Sequence, residues 1–126
     1  MQNAWLLVAL GGALGAVLRY GAGRLSVHLL GPSWPFGTLF VNVVGSLALG
    51  FVVGLSERAM PASTRTFLGT GMLGAFTTFS TFSVETVGLA ERGEVIGAIG
   101  NVVANTALGL TAAVLGLWLA RAVSDA

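Results

Sequence analysis

Residues 69–86 read GTGMLGAFTTFSTFSVET, and the fold turns on how that stretch is accommodated. Three glycines, seven hydroxyl side chains and one carboxylate fall within a length that elsewhere in this chain is filled largely by aliphatic residues. Such a face cannot look at lipid without large desolvation costs, so it must face protein or water. Gly74 followed by Thr77 and Thr78 reads as one helix ending and another beginning, because Gly suits a helix C-terminus and Thr an N-cap. On that reading the second piece runs from residue 79 to 90, about 18 Å at 1.5 Å per residue, and the interruption lies near the middle of a bilayer. Unwound carbonyls at such an interruption can coordinate a small cation, and half-helix N-termini can favour an anion. The alternative is a kinked continuous helix whose Ser and Thr hydroxyls bond back to the preceding turn.

Composition makes lipid the surrounding that matters. Of 126 residues, 55% are hydrophobic and 9% charged, with a mean hydropathy of +0.88, against about 25% charged in an ordinary soluble domain. A helix needs about 20 apolar residues to cross the hydrocarbon. Residues 4–23 are apolar apart from Arg19, 36–55 carry no charge, 66–90 are interrupted only by Glu85, and 95–120 contain no charged group. The expectation is an all-α membrane protein: one unit over residues 1–126 with four transmembrane helices, the third broken near the midplane. The first segment lacks the positive leading residues of a cleaved signal peptide and is read as a span. Six Arg and no Lys against five acids offer no basic patch, so nucleic acid is not an expected partner. With no Cys and one histidine, His28, disulfides, thiolate metal sites, Cys nucleophiles and His-based triads drop out.

The charged residues gather between the spans. Arg24 and His28 fall in the first connector, Glu57, Arg58 and Arg65 in the second, and Glu91, Arg92 and Glu94 in the third. With four spans, Arg58, Arg65 and Arg121 share one side of the membrane while Arg19, Arg24 and Arg92 share the other. Under the positive-inside rule a balanced chain has no strong instruction about which way to insert. Either it inserts both ways and assembles as an antiparallel homodimer, or a smaller feature such as the N-terminal amine tips the balance. Trp5, Tyr20, Trp34 and Trp118 fall near span ends, where amphipathic rings favour the headgroup layer.

Helix association in lipid relies on small residues, and the chain holds 19 Gly. Gly11 with Gly15, Gly50 with Gly54, and Gly109 with Gly116 recur at helical spacing, as tight packing requires. Polar stripes accompany them. Thr38, Asn42 and Ser46 lie four apart on the second span, and Asn101 and Asn105, next to Thr106, lie four apart on the fourth. Neutral amide donors suit an anion path, and they also glue helices together. Phe76, Phe79 and Phe82 follow at a spacing of three; ring edges are the positive part of the aromatic quadrupole and can stabilise a small anion without trapping it. Arg19 either snorkels to the headgroups or lines a vestibule that attracts anions.

Three runs carry a resemblance to a known family. GGALGAVLRY (residues 11–20), FGTLFVNVVGSLALG (36–50) and above all GMLGAFTTFSTFSVE (71–85) are similar to the signatures of the Fluc or CrcB fluoride channels, in the right order over most of the chain. The resemblance implies a four-helix protein forming a dual-topology antiparallel homodimer in the cell (inner or plasma) membrane, with two fluoride pores and a central structural sodium ion (Na+). It implies that Phe79 and Phe82 turn their ring edges to fluoride, that Asn42 is the pore amide with Thr38 one turn before it, and that Ser80, Thr81 and Glu85 form a polar track opposite. Gly74 and Thr77 would supply backbone carbonyls to sodium, and Arg19 would sit at the vestibule. Asn105, counted with the pore ligands, stands where the family commonly has Ser, and Phe76, where Leu is commoner, is assigned to packing.

The expected function is therefore fluoride-selective passive efflux, which lowers cytoplasmic fluoride. It is not catalysis, and the chain holds no GxxxxGK[ST] motif through which ATP hydrolysis could drive transport. A small dual-topology multidrug exporter is the first rival, but proton coupling of that kind needs a carboxylate near the middle of the first span, and residues 4–18 have none. A non-transporting membrane scaffold is the second. It has no need of polar stripes converging from three helices.

Overall fold

The computed structural model describes residues 3–55 and 59–126. Glu57 and Arg58, which enter the charge balance of the second connector, lie outside the described residues. Helix α1 (Ala4–Leu30) starts at Asn3, whose side chain accepts from the Trp5 N–H at 3.0 Å, and stops at Gly31, where φ is +80°. Pro32 and Pro35 separate it from α2 (Phe36–Gly54). After Pro61 a continuous helical stretch comprises α3 (Ala62–Arg65), a π-helical segment π1 (Thr66–Leu73) and α4 (Gly74–Phe76). Two non-helical residues, Thr77 and Thr78, precede α5 (Phe79–Glu91). Gly93, also at φ +80°, turns the chain into α6 (Val95–Ser124).

Among the described residues there is no strand, and three helices, α1, α2 and α6, are long and apolar enough to cross a membrane. The third expected span is divided among π1, α4 and α5. Two expectations need correcting. The first helix runs past residue 23 to Leu30, so Arg24 and His28 lie on its last turns and not in a connector; nothing between them interrupts the helix until Gly31. Gly74 does not end a helix: its φ of −61° and ψ of −35° are ordinary right-handed values. The chain leaves the helix three residues later at Thr77, with ψ 159°.

The helices associate through backbone approach. α2 packs chiefly on α6, and α1 on π1. A Cβ at Gly15 would overlap the Met72 carbonyl, and one at Gly11 would overlap the Phe67 carbonyl, so these two glycines let α1 lie directly on π1. At the other contact Gly116 meets the Leu47 carbonyl, and a Cβ at Gly50 would come within 2.5 Å of the Ala113 carbonyl oxygen. Gly109 makes only ordinary contact with Ser46. The buried aliphatic set is correspondingly small, with Val41, Val52, Leu73 and Leu89 its larger members. Most large apolar side chains point outward, among them Ile96 at 87% exposure, as a lipid-facing surface requires.

Candidate functional site

The site is built around the two residues that leave the helix. Thr77 (φ −82°, ψ 159°) and Thr78 (φ −152°, ψ 122°) are extended; the Thr77 N–H still donates to the Leu73 carbonyl at 3.1 Å, but the Thr78 peptide loses its helical partners in an apolar interior where each unpaired group is costly. Asn42 supplies partners from α2. Its Oδ1 accepts from the Thr78 N–H at 2.8 Å, and its Nδ2 donates to the Thr78 carbonyl at 3.1 Å, imitating a strand neighbour. Thr78 then caps α5: its Oγ1 accepts from the Thr81 N–H at 3.2 Å and donates to Thr81 Oγ1 at 3.1 Å. Arg19 reaches across from α1 and donates from Nε to the Ala75 carbonyl at 3.0 Å. A cation at that point complements the negative end of the preceding helical stretch.

Hydroxyls along the third segment also bond back to the preceding turn, as the kinked-helix alternative expected. Thr77 donates to the Leu73 carbonyl at 3.1 Å, Ser83 to Phe79 at 2.8 Å and Thr86 to Phe82 at 2.7 Å. A chain of amides extends from Asn42 through α6. Asn42 Nδ2 donates to Asn105 Oδ1 at 2.9 Å, Asn105 Nδ2 to Asn101 Oδ1 at 2.9 Å and to the Asn101 carbonyl at 3.0 Å, and Asn101 Nδ2 to Thr86 Oγ1 at 2.9 Å.

Two cavities flank this bridge, and Thr78 lines both. The larger, about 620 Å³, is lined by Arg19, Arg24, Thr38, Thr81, Glu85 and Arg92, among others. The smaller, about 410 Å³, is lined by Asn42, Ser46, Phe79, Phe82, Asn105 and Thr106 among others, and among the described residues no charged side chain borders it. The expected pore residues thus fall into two groups. Phe79, Phe82, Asn42 and Asn105 come together on one side, and Thr38, Thr81, Glu85 and Arg19 on the other. Ser80 lines neither cavity; its Oγ lies 3.4 Å from Thr78 Oγ1. The Phe79 and Phe82 rings stand 5.6 Å apart between centroids, tilted by 51°, and Phe79 is 79% exposed. Phe76 is not part of their stack. It lies before the extended residues and packs towards Gly45, with its Cδ1 3.3 Å from where a Cβ there would stand.

Among the described residues, Glu85 Oε2 is buried without a hydrogen-bond partner. The Arg19 guanidinium is turned towards the Ala75 carbonyl and lines the larger cavity. Trp34, expected at the headgroup layer, donates from Nε1 to the Gly97 carbonyl at 3.0 Å and so ties the first connector to α6. Sequence reasoning missed Thr78 as the junction of both cavities and Ala75 as a partner of Arg19. Both act through backbone groups, which carry no side-chain signal. Among the described residues no cluster of three or more His, Asp or Glu could hold a metal. Carbonyl oxygens are the other donor set: the helical donor to the Gly74 carbonyl would be the Thr78 N–H, which goes instead to Asn42. A carbonyl so released, on a residue that is itself exposed, fits a hard cation such as sodium by donor type.

Residues 6–117 match the family described as CrcB-like protein, Camphor Resistance (CrcB). The fluoride-specific ion channel FluC of Hyphomonas neptunium is 48% identical to this chain over 125 residues, covering 97% of this chain and 98% of its own length. The proteins of the same name from Rhizobium meliloti and Dehalococcoides mccartyi are 46% identical over 124 residues and 47% identical over 116, covering 97% and 90% of this chain and 99% and 89% of their own lengths.

Proposed function

Because this chain belongs to the CrcB-like protein family, we propose that it is a multi-pass membrane channel through which fluoride leaves the cytoplasm passively, lowering its toxicity. The observation that carries the reading is the smaller cavity. Phenylalanine rings, amides and hydroxyls border it and, among the described residues, no full charge does, so a small anion can exchange its hydration shell for weak contacts and still leave. Phe79 and Phe82 present the ring edges and Asn42 the amide donor, with Asn105 beside it as its acceptor, and Thr38, Thr81 and Glu85 form the polar track beyond Thr78, with Ser80 next to Thr78 Oγ1. Arg19 raises the local anion concentration at the vestibule of the larger cavity.

Fluoride enters from acidic surroundings as neutral HF, dissociates in a more alkaline cytoplasm and is held there as the ion. A selective pore lets the membrane potential drive it out, and no hydrolysis is needed. A single chain leaves Phe79 mostly exposed beside the smaller cavity, which supports a second copy completing the wall. The balanced arginines support that copy inserting in the opposite orientation, as an antiparallel homodimer in the cell membrane with lipid around it. In such a pair the interruption at Thr77 and Thr78 lies near the midplane. The Gly74 and Thr77 carbonyls are the groups that would hold a structural sodium ion, which would supply positive charge to offset the released carbonyls.

Purified protein in liposomes loaded with fluoride tests the reading. Fluoride efflux with chloride retained is the expected result; chloride passing as freely would overturn selectivity, and no flux of either ion would favour the scaffold.

A further inference from the structure

Asn101 is fully buried at 0% exposure, lines neither cavity, and has no place in the pathway just described. Its hydrogen bonds run in a single direction. Thr86 Oγ1 gives its proton to the Phe82 carbonyl, so it can only accept from Asn101 Nδ2. That leaves Asn101 Oδ1, with the Asn101 carbonyl, to take both N–H groups of Asn105. Asn105 Oδ1 must then face Asn42 and accept from it. At the far end the Thr78 N–H independently fixes Asn42 with Oδ1 towards Thr78. Backbone groups at both ends therefore set every amide orientation, and both N–H groups of Asn42 are occupied, one by Asn105 Oδ1 and one by the Thr78 carbonyl.

We propose that Asn101, anchored by Thr86, is a positioning residue that turns Asn105 to occupy one N–H of Asn42, so that an anion in the smaller cavity binds Asn42 only by displacing Asn105. The inference rests on the anion-channel function proposed above. An anion that must displace an existing acceptor is held more weakly than one meeting a free N–H, and weak holding favours passage over trapping. The arrangement adjusts affinity from outside the pathway, through a residue the ion never touches.

The test is fluoride flux through the full-length protein in liposomes, measured over a range of fluoride concentrations. Asn101→Leu keeps the side-chain shape and removes both bonds, and Asn105→Ala removes the acceptor itself. Asn105→Ala frees an N–H of Asn42, and the concentration for half-maximal flux is expected to fall on the order of tenfold, the change that a modest hydrogen bond to an ion brings; Asn101→Leu leaves Asn105 held by the residue-101 carbonyl alone, and the same concentration is expected to fall by a smaller factor. Asn101→Asp in its protonated form accepts from Asn105 and donates its own O–H to Thr86, and is expected to restore the wild-type value. Should Asn101→Leu not assemble, Asn105→Ala carries the measurement. An unchanged half-maximal concentration in the variants that assemble, beside a wild type that conducts fluoride, would overturn this inference and leave the channel function standing. A wild type that passes no fluoride would overturn both.

Discussion

The Asn42 side chain and the Thr78 backbone share two hydrogen bonds, at 2.8 and 3.1 Å, and the two cavities that flank this bridge adjoin at that pair. The bridge satisfies an extended peptide inside an apolar bundle, and in the proposed pathway it stands where the cavities adjoin. Replacing Asn42 separates these roles. Asn42→Ala leaves the Thr78 N–H and carbonyl without partners and is expected to cost on the order of 2 kcal/mol of stability, with fluoride flux abolished. Asn42→Asp keeps the acceptor for the Thr78 N–H but loses both donors, and is expected to retain more stability while still failing to conduct. Thermal unfolding in detergent beside liposome flux reads both quantities.

The Phe79 and Phe82 rings make little of the buried core, since Phe79 is mostly exposed and Phe82 only half-buried. Phe79→Ile and Phe82→Ile are therefore expected to stop fluoride flux while leaving assembly intact, as judged by elution from a sizing column. Unchanged flux in both would reduce the rings to packing.

Glycines of the bundle are expected to divide sharply. Gly15→Ala places a methyl on the Met72 carbonyl and pushes α1 off π1, at a cost of about 1–3 kcal/mol for overpacking. Gly100→Ala, on the same kind of helix but with nothing within 4 Å, is expected to be neutral or to stabilise by up to about 1 kcal/mol through helix propensity. Unfolding midpoints of the two variants side by side give the comparison.

Arg19 serves the Ala75 carbonyl and the larger cavity together. Arg19→Met removes the positive charge, and fluoride flux at low ionic strength is expected to fall several-fold. Because long-range attraction is screened by salt, the gap between variant and wild type is expected to narrow as ionic strength rises. A gap that stays constant would assign Arg19 to holding the helix end alone.

The balanced arginines lead to a separate expectation about orientation. Adding two Lys beside Arg58 biases insertion to one direction, and flux is expected to drop until a copy biased the opposite way is supplied. Full flux from the singly oriented chain would show that opposite orientations are not required.

Long-range charge and apolarity are properties of the chain as written, and they sufficed for the all-helical class, for three of the four expected spans as long apolar helices, and for the polar stripes on α2 and α6. Thr38, Asn42 and Ser46 share a face because four residues make about one turn, whatever the neighbours do. The N-cap at Thr78 was legible for the same local reason. Gly74 was misread as a helix end because glycine permits that conformation without requiring it. Only tertiary structure decided which residue leaves the helix: the Thr78 peptide can stay extended because Asn42, 36 positions earlier, takes its N–H and faces its carbonyl. The division into two cavities, the inward turn of Arg19 and the direction of the Asn101–Asn105–Asn42 chain have the same origin. Each depends on a backbone group of another helix, whose position no side-chain pattern encodes.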